Sequence, residues 1–162
     1  MSRLTERSAV SDDRPSLYEF AGGAPAFLAL ANALNARCLE DPVLNHPFSH
    51  PGGHPQHIER LAGYLGEVFG GPPVYSETAG GQPAMLLIHA ESGADDDLGA
   101  RFIACFDLAV EDAGFPYDLE FRQILHEYIV TAVREVHSYS PHGSVVPRDA
   151  RVPHWSWNGP EK

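Results

Sequence analysis

Basic residues are scarce in this sequence. Eleven Lys and Arg stand against 22 Asp and Glu, giving a formal net charge of −11. Nucleic acids and anionic membrane surfaces are bound through clustered Lys and Arg, so neither is expected as a partner. A small neutral ligand or a buried cofactor fits the balance better. Cysteine is nearly absent as well. Cys38 and Cys105 are the only two, and each sits within an apolar helical pattern rather than at the spacing of a metal knuckle. Two buried free thiols in a reducing compartment are expected, not a disulfide. No apolar run reaches the ~20 residues of a membrane span. The start lacks the charged-then-apolar layout of a secretory signal, so the expected location is the cytoplasm. Internal repeats and low-complexity tracts are missing too. So are the glycine fingerprints of flavin or nicotinamide binding, so any reductase that serves the chain is a separate protein.

What is present is enough for one domain with a real core: 162 residues, 43% hydrophobic and 20% charged. Helical patterns dominate, and little reads as strand. Residues 24–40 place Phe27, Leu28, Leu30, Ala31, Leu34 and Cys38 at three- and four-residue steps, and Asp41-Pro42 ends the helix. Residues 54–69 put Ile58, Leu61, Leu65 and Val68 on a stripe that stops at Gly70-Gly71-Pro72-Pro73. In the loop that follows, Val74-Tyr75 reads as a brief extended piece. Residues 82–89 form a short apolar segment. Residues 95–113 begin with Asp95-Asp96-Asp97, which favours a helix N-terminus, and carry Leu98, Phe102, Cys105, Phe106 and Ala109. Residues 119–137 give Phe121, Leu125, Tyr128, Ile129, Ala132, Val133 and Val136. The fold class expected is all-α, with five or so helices. Residues 1–16 are polar and aperiodic and read as a mobile tail. Residues 140–162 hold Pro141, Pro147, Pro153 and Pro160 beside Trp155 and Trp157. Such a tail cannot be helical, yet two indoles are costly to leave in water, so it is expected to pack back over the domain.

Nine histidines need accounting for. His46, His50, His54 and His57 crowd one loop and helix start, and imidazole suits zinc, iron and copper. The same loop holds three prolines and two glycines, and exposed turns carry histidine commonly. His57 stands apart. At 3.6 residues per turn it shares a face with Leu61, Tyr64, Leu65 and Val68, and an inward imidazole needs a partner. His89 poses the same question, because it follows Met85-Leu86-Leu87-Ile88. For either one, a core histidine bonded to a backbone carbonyl remains an alternative. Two inward histidines with Phe48 and Phe102 nearby in the pattern describe an apolar slot with a metal-binding pole. Haem iron held by a proximal histidine is chemistry that needs such a slot.

From Tyr18 to Tyr139 the sequence resembles the truncated haemoglobins, and among them group II. Tyr18-Glu19-Phe20-Ala21-Gly22-Gly23 is similar to the family's glycine motif before its first long helix. Glu40-Asp41-Pro42-Val43-Leu44-Asn45-His46-Pro47-Phe48 is similar to the run that leads to a haem-stacking phenylalanine. Phe69-Gly70-Gly71-Pro72-Pro73-Val74-Tyr75-Ser76-Glu77 resembles the group's glycine-glycine-proline loop with its tyrosine and glutamate. In that register His89 falls on the proximal ligand and His57 on the first distal position. Leu61 falls one turn beyond, and Phe102 falls on the haem-facing aromatic of the next long helix. Three features depart from the family. Asn35 stands where a tyrosine is usual, Phe102 replaces a large indole, and basic residues are missing around His89.

The resemblance implies a truncated globin fold, a 2-over-2 helical sandwich around haem b (iron protoporphyrin IX), with extended N- and C-terminal tails. The corresponding division is a tail at 1–16, a globin domain at 17–139 and an extension at 140–162. Its cofactor-binding residues would be Asn35, Phe48, His57, Leu61, Tyr64, His89 and Phe102. A core role is the alternative for Tyr64 and Phe48. His89 would hold the iron. His57 would either donate a hydrogen bond to bound ligand, with Asn35 assisting, or ligate the iron itself. The function implied is binding of dioxygen and other diatomic ligands, with redox turnover of the nitric oxide dioxygenase or peroxidase type as an extension of it. The other readings are a haem-based sensor or partner-binding globin, and a non-haem metalloprotein built on His46, His50, His54 and His57. Monomer and homodimer are both compatible with the sequence.

Overall fold

The chain enters its helical body through a capped turn. In the computed structural model, which describes residues 14–44, 56–83, 96–139, 143 and 145–161, Ser16 Oγ accepts the Glu19 N–H at 3.1 Å. That side chain caps α1 (Leu17–Ala21) in the manner expected of serine. The chain turns at Gly22-Gly23, and α2 (Ala24–Glu40) follows with a proline in its first turn, where the missing N–H costs nothing. Asp41 closes α2: its Oδ1 accepts from the Val43 and Leu44 amides at 2.8 and 3.0 Å. Those amide donors, the Leu44 bond first, and Arg101 beyond them hold the Asp41 carboxyl below its ordinary pKa.

Among the described residues four further helices follow, α3 (His57–Val68), α4 (Val74–Thr78), α5 (Asp96–Asp112) and α6 (Leu119–Ser138), with a helical turn at 81–83 between α4 and α5. The expected helix limits are met to within a few residues. One expectation is corrected, since Val74-Tyr75 opens α4 and is not extended. Glu67, buried on α3, accepts the Ser76 N–H at 2.9 Å and also its hydroxyl. That carboxylate, together with the burial of Tyr75, winds the segment into a turn. Helix α2 packs against both α3 and α5, and α5 packs against α6. The core between them is apolar and aromatic, with Phe27, Phe69, Phe106, Phe115 and Phe121 fully buried.

The loop after α3 needs its second glycine for space. A Cβ on Gly71 would lie 2.6 Å from the Tyr18 ring and 2.8 Å from the Gly66 carbonyl oxygen, distances no side chain tolerates. Tyr18 is fixed there by its own N–H, which donates to the Phe69 carbonyl at 2.9 Å. Cys38 and Cys105 are buried and free. Burial, and then each thiol's neighbour, pushes Cys38 up; burial chiefly raises Cys105. Both therefore stay protonated and inert.

The ends of the described chain meet. Trp155-Ser156 pairs antiparallel with Gly159-Pro160 in a short hairpin, the two strands β1 and β2. Trp155 is buried, with its ring edge on Tyr128 at 5.6 Å. Trp157 sets its edge on Phe20 at 5.0 Å and donates its indole N–H to the Pro15 carbonyl at 2.8 Å. Arg14 lies 4.1 Å over the Trp157 ring and pairs with Glu120 at 2.8 Å. The extension thus packs back onto α1 and α6.

Candidate functional site

Helices α2 and α3 bring together two residues that are distant in sequence. His57 begins α3, and its Nε2 lies 3.3 Å from Asn35 Oδ1 on α2. With the amide oxygen as acceptor, the imidazole carries its proton on Nε2. Asn35 is half-buried beside Leu34 and Cys38, which anchor that turn of α2 in the core. The expectation that His57 faces the core with Leu65 and Val68 is corrected, because His57 is exposed. The stripe on α3 tilts: Tyr64, Leu65 and Val68 at its far end are buried, Leu61 is half-buried, and His57 emerges at the rim.

Leu61 on α3 and Phe102 on α5 occupy comparable places. Each is packed against the core on one side and partly open on the other. They stand on the two helices that flank α2. Tyr64 behaves differently from its neighbour Leu61. Its hydroxyl donates to Gln82 Oε1 at 2.7 Å and its ring meets Tyr75 at 5.1 Å. Burial, then the neighbouring Tyr128 and Glu135, drives its phenol far above the usual range, so it remains a neutral hydrogen-bond donor. Phe48 and His89 lie outside the described residues, as do His46, His50 and His54. Among the described residues no three His, Cys, Asp or Glu side chains are grouped to hold a metal. None of the described helices is long and apolar enough to cross a membrane.

Two buried polar residues were not anticipated from sequence. Glu67 is 3% exposed and Gln82 1% exposed. A carboxylate set within the run Tyr64-Leu65-Gly66-Glu67-Val68-Phe69 was the available signal for the first, since position 67 lies three residues beyond Tyr64 on the covered face. For Gln82 the signal is fainter, a lone amide between Gly81 and Pro83 at the head of an apolar segment.

Half-buried apolar residues on two helices, Leu61 and Phe102, and the imidazole of His57 are of the kinds that suit a flat apolar cofactor with a polar ligand. Imidazole nitrogen as the donor suits haem iron. Helix α2 packed on α3 and on α5, with α6 on α5, is the framework of a globin of the shortened, 2-over-2 kind. The chain belongs to the bacterial-like globin family, whose model matches residues 16–134. A haemoglobin of the phototrophic bacterium Chloroflexus aurantiacus superposes with a TM-score of 0.66 at 27% identity, covering 76% of this chain and 98% of the other. A thermostable haemoglobin from the actinobacterium Thermobifida fusca gives 0.62 at 31%, covering 75% and 96%. The group II 2-on-2 haemoglobin of Agrobacterium tumefaciens gives 0.65 at 22%, covering 76% and 95%, which speaks for the fold. Curated protein sequences contain no match. The fold is that of a group II truncated haemoglobin, and family membership supports haem-based binding of diatomic ligands such as dioxygen.

Proposed function

We propose that the chain binds haem b, with His89 as the proximal ligand, and takes up dioxygen and other diatomic ligands on the side that His57 faces. The observation that carries this is the His57–Asn35 pair at 3.3 Å, a polar couple between α2 and α3 with Leu61 one turn beyond His57. When bound, the haem supplies an iron that exchanges diatomic ligands. The chain's own residues do the rest. Asn35 holds the imidazole through Nε2, so a donor toward a partly anionic ligand has to come from the other ring nitrogen, Nδ1, which Asn35 thereby aims. Leu61 and Phe102 would give the site apolar walls, which strengthens that bond by lowering the local dielectric. Phe48 would pack on the porphyrin and His89 would hold the iron, its other ring N–H free to be given to a backbone carbonyl.

The test is an absorption titration of the purified chain with haemin, followed by reduction. A Soret band that saturates at one haem per chain, and that is lost in His89→Ala, is the expected result. The reduced spectrum reports whether His57 donates to ligand or binds the iron, since the second alternative gives a six-coordinate ferrous form. A normal Soret band in His89→Ala overturns the ligand assignment. Metal without porphyrin in the isolated protein overturns the haem reading in favour of the histidine cluster.

A further inference from the structure

Helices α2 and α5 run antiparallel, and two ion pairs fix how far one is slid along the other. Arg101 on α5 meets Asp41, at the end of α2, at 3.2 Å. Arg37 on α2 meets Asp112, at the end of α5, at 2.6 Å. One turn back from Asp41 is Cys38, and one turn on from Arg101 is Cys105. The next turn along brings Leu34 and Ala109, both buried. The register therefore sets the two cysteines opposite each other within the seam. Their thiols meet there, the Cys38 S–H donating to the Cys105 sulfur. Both side chains are buried, Cys38 at 0% exposure and Cys105 at 7%.

Taken singly, each thiol is inert. As a pair they keep one reaction, because a sulfur oxidised at one of them has its partner within reach. The two are not equivalent. Burial and the Asp41 carboxylate raise the Cys105 thiol, while the Cys38 S–H and the guanidinium groups of Arg37 and Arg101 pull it back down. Every influence on Cys38, burial first, raises it. Cys105 is also the better exposed. It is the nucleophile of the pair, and Cys38 is the thiol that resolves it. An oxidant that enters this dry seam has to be small and uncharged, as hydrogen peroxide is.

We infer that Cys38 and Cys105, free and adjacent, form a reversible dithiol–disulfide site that a small neutral hydroperoxide oxidises and a dithiol restores, crosslinking α2 to α5. The Cys105 thiolate attacks one peroxide oxygen. The S–O bond forms, the O–O bond breaks, and hydroxide leaves as water with the proton that Cys105 gave up. The Cys38 sulfur then attacks the sulfenic acid at Cys105. The S–S bond forms, the S–O bond breaks, and a second water carries off the Cys38 proton. Two electrons pass from the sulfurs to the peroxide. The crosslink closes a long stretch of chain and so restricts the unfolded state. None of this depends on the haem reading.

The experiment treats the folded, full-length protein with hydrogen peroxide and, in parallel, with diamide, a neutral azo oxidant that forms disulfides without supplying oxygen. The expected product has lost the mass of two hydrogens per chain, and its digest contains a peptide pair linking Cys38 to Cys105. It melts above the reduced protein, and dithiothreitol returns both mass and melting temperature to their starting values. Cys38→Ala, which lacks the resolving thiol, is expected to stop under peroxide at a Cys105 sulfenic acid that dimedone traps. Cys105→Ala should keep Cys38 as a free thiol under the same treatment. If either variant fails to fold, the linked peptide from the wild type carries the test by itself. Two thiols still titratable after oxidation, a link formed only in denaturant, or Cys105 carried to sulfinic acid with no link would overturn the inference.

Discussion

His57 is a residue whose place on the helix decides its chemistry. Had it stood one turn later, at Leu61, packing would have crowded it. At the start of α3 it is exposed, yet it is held by Asn35 at 3.3 Å. If His57 donates to bound ligand as proposed, replacing it with Leu removes a charge-assisted bond of about 1.5–3 kcal/mol. The ligand is then expected to leave about ten- to a hundredfold faster, measurable by stopped-flow displacement of dioxygen with carbon monoxide. Asn35→Ala should give a smaller change in the same direction, because the imidazole loses its orientation but not its proton. Equal release from wild type and His57→Leu would show that the ring does not reach the ligand. A second residue is decided by space alone. Gly71→Ala must move either the Tyr18 ring or the Gly66 carbonyl, an overpacking that costs about 1–3 kcal/mol in denaturant unfolding. Tyr18→Ala in the same chain should recover part of the loss and not all, since the backbone oxygen remains.

The helices were legible because their signals are local. Asp41-Pro42, the glycine pairs and the three- and four-residue apolar steps are written into consecutive residues, and the limits of α2, α5 and α6 follow from them. The register of the resemblance also named His57 and Asn35, whose side chains the structure places 3.3 Å apart. What sequence could not give was long-range pairing. The helical state of Val74–Thr78 depends on Glu67 accepting from Ser76, and the burial of Gln82 depends on partners 18 and 53 residues away. No period in the chain encodes either. One element-scale consequence concerns α6, which begins at a side-chain cap. Asp118 accepts the Phe121 N–H at 2.8 Å, and Asp118→Ala should cost about 1 kcal/mol of stability by denaturant unfolding. Another concerns its other end. Burial raises the Glu135 carboxyl above its ordinary 4.5, against the lowering effect of Gln82. A folded-state pKa above the unfolded one means that the charged form opposes folding. The penalty is present above the folded pKa and vanishes as pH falls below 4.5. Glu135→Gln is therefore expected to melt higher than wild type at neutral pH and to lose that advantage on acidification, read by thermal unfolding across the acid range. A constant difference at all pH values would mean that the carboxyl titrates alike in both states.

At the scale of the molecule, the described chain is closed by contacts of Arg14, Pro15, Trp155 and Trp157, which lie outside the globin match at residues 16–134, with one another and with residues inside it. Two tryptophans do this in different ways. Trp155 inserts: it is 5% exposed and its edge meets Tyr128, a ring that also touches Phe69 at 5.0 Å. Trp157 latches: half-buried, it lies under Arg14, bonds the Pro15 carbonyl and leans on Phe20. Removing a buried indole leaves a cavity and forfeits its transfer energy, about 3–5 kcal/mol for Trp155→Ala. Trp157→Ala gives up less apolar burial, and its cation–π contact with Arg14 is worth about 0.5–1 kcal/mol where water has access. Trp155→Ala should therefore be clearly the more destabilising of the two in denaturant unfolding of the haem-loaded protein. Arg14→Ala and Trp157→Ala should be non-additive, since each removes the same contact, whereas Arg14→Ala and Trp155→Ala should add. The reverse order, with Trp157 the costlier loss, would mean that the hairpin is held by its latch and that Trp155 follows it into place.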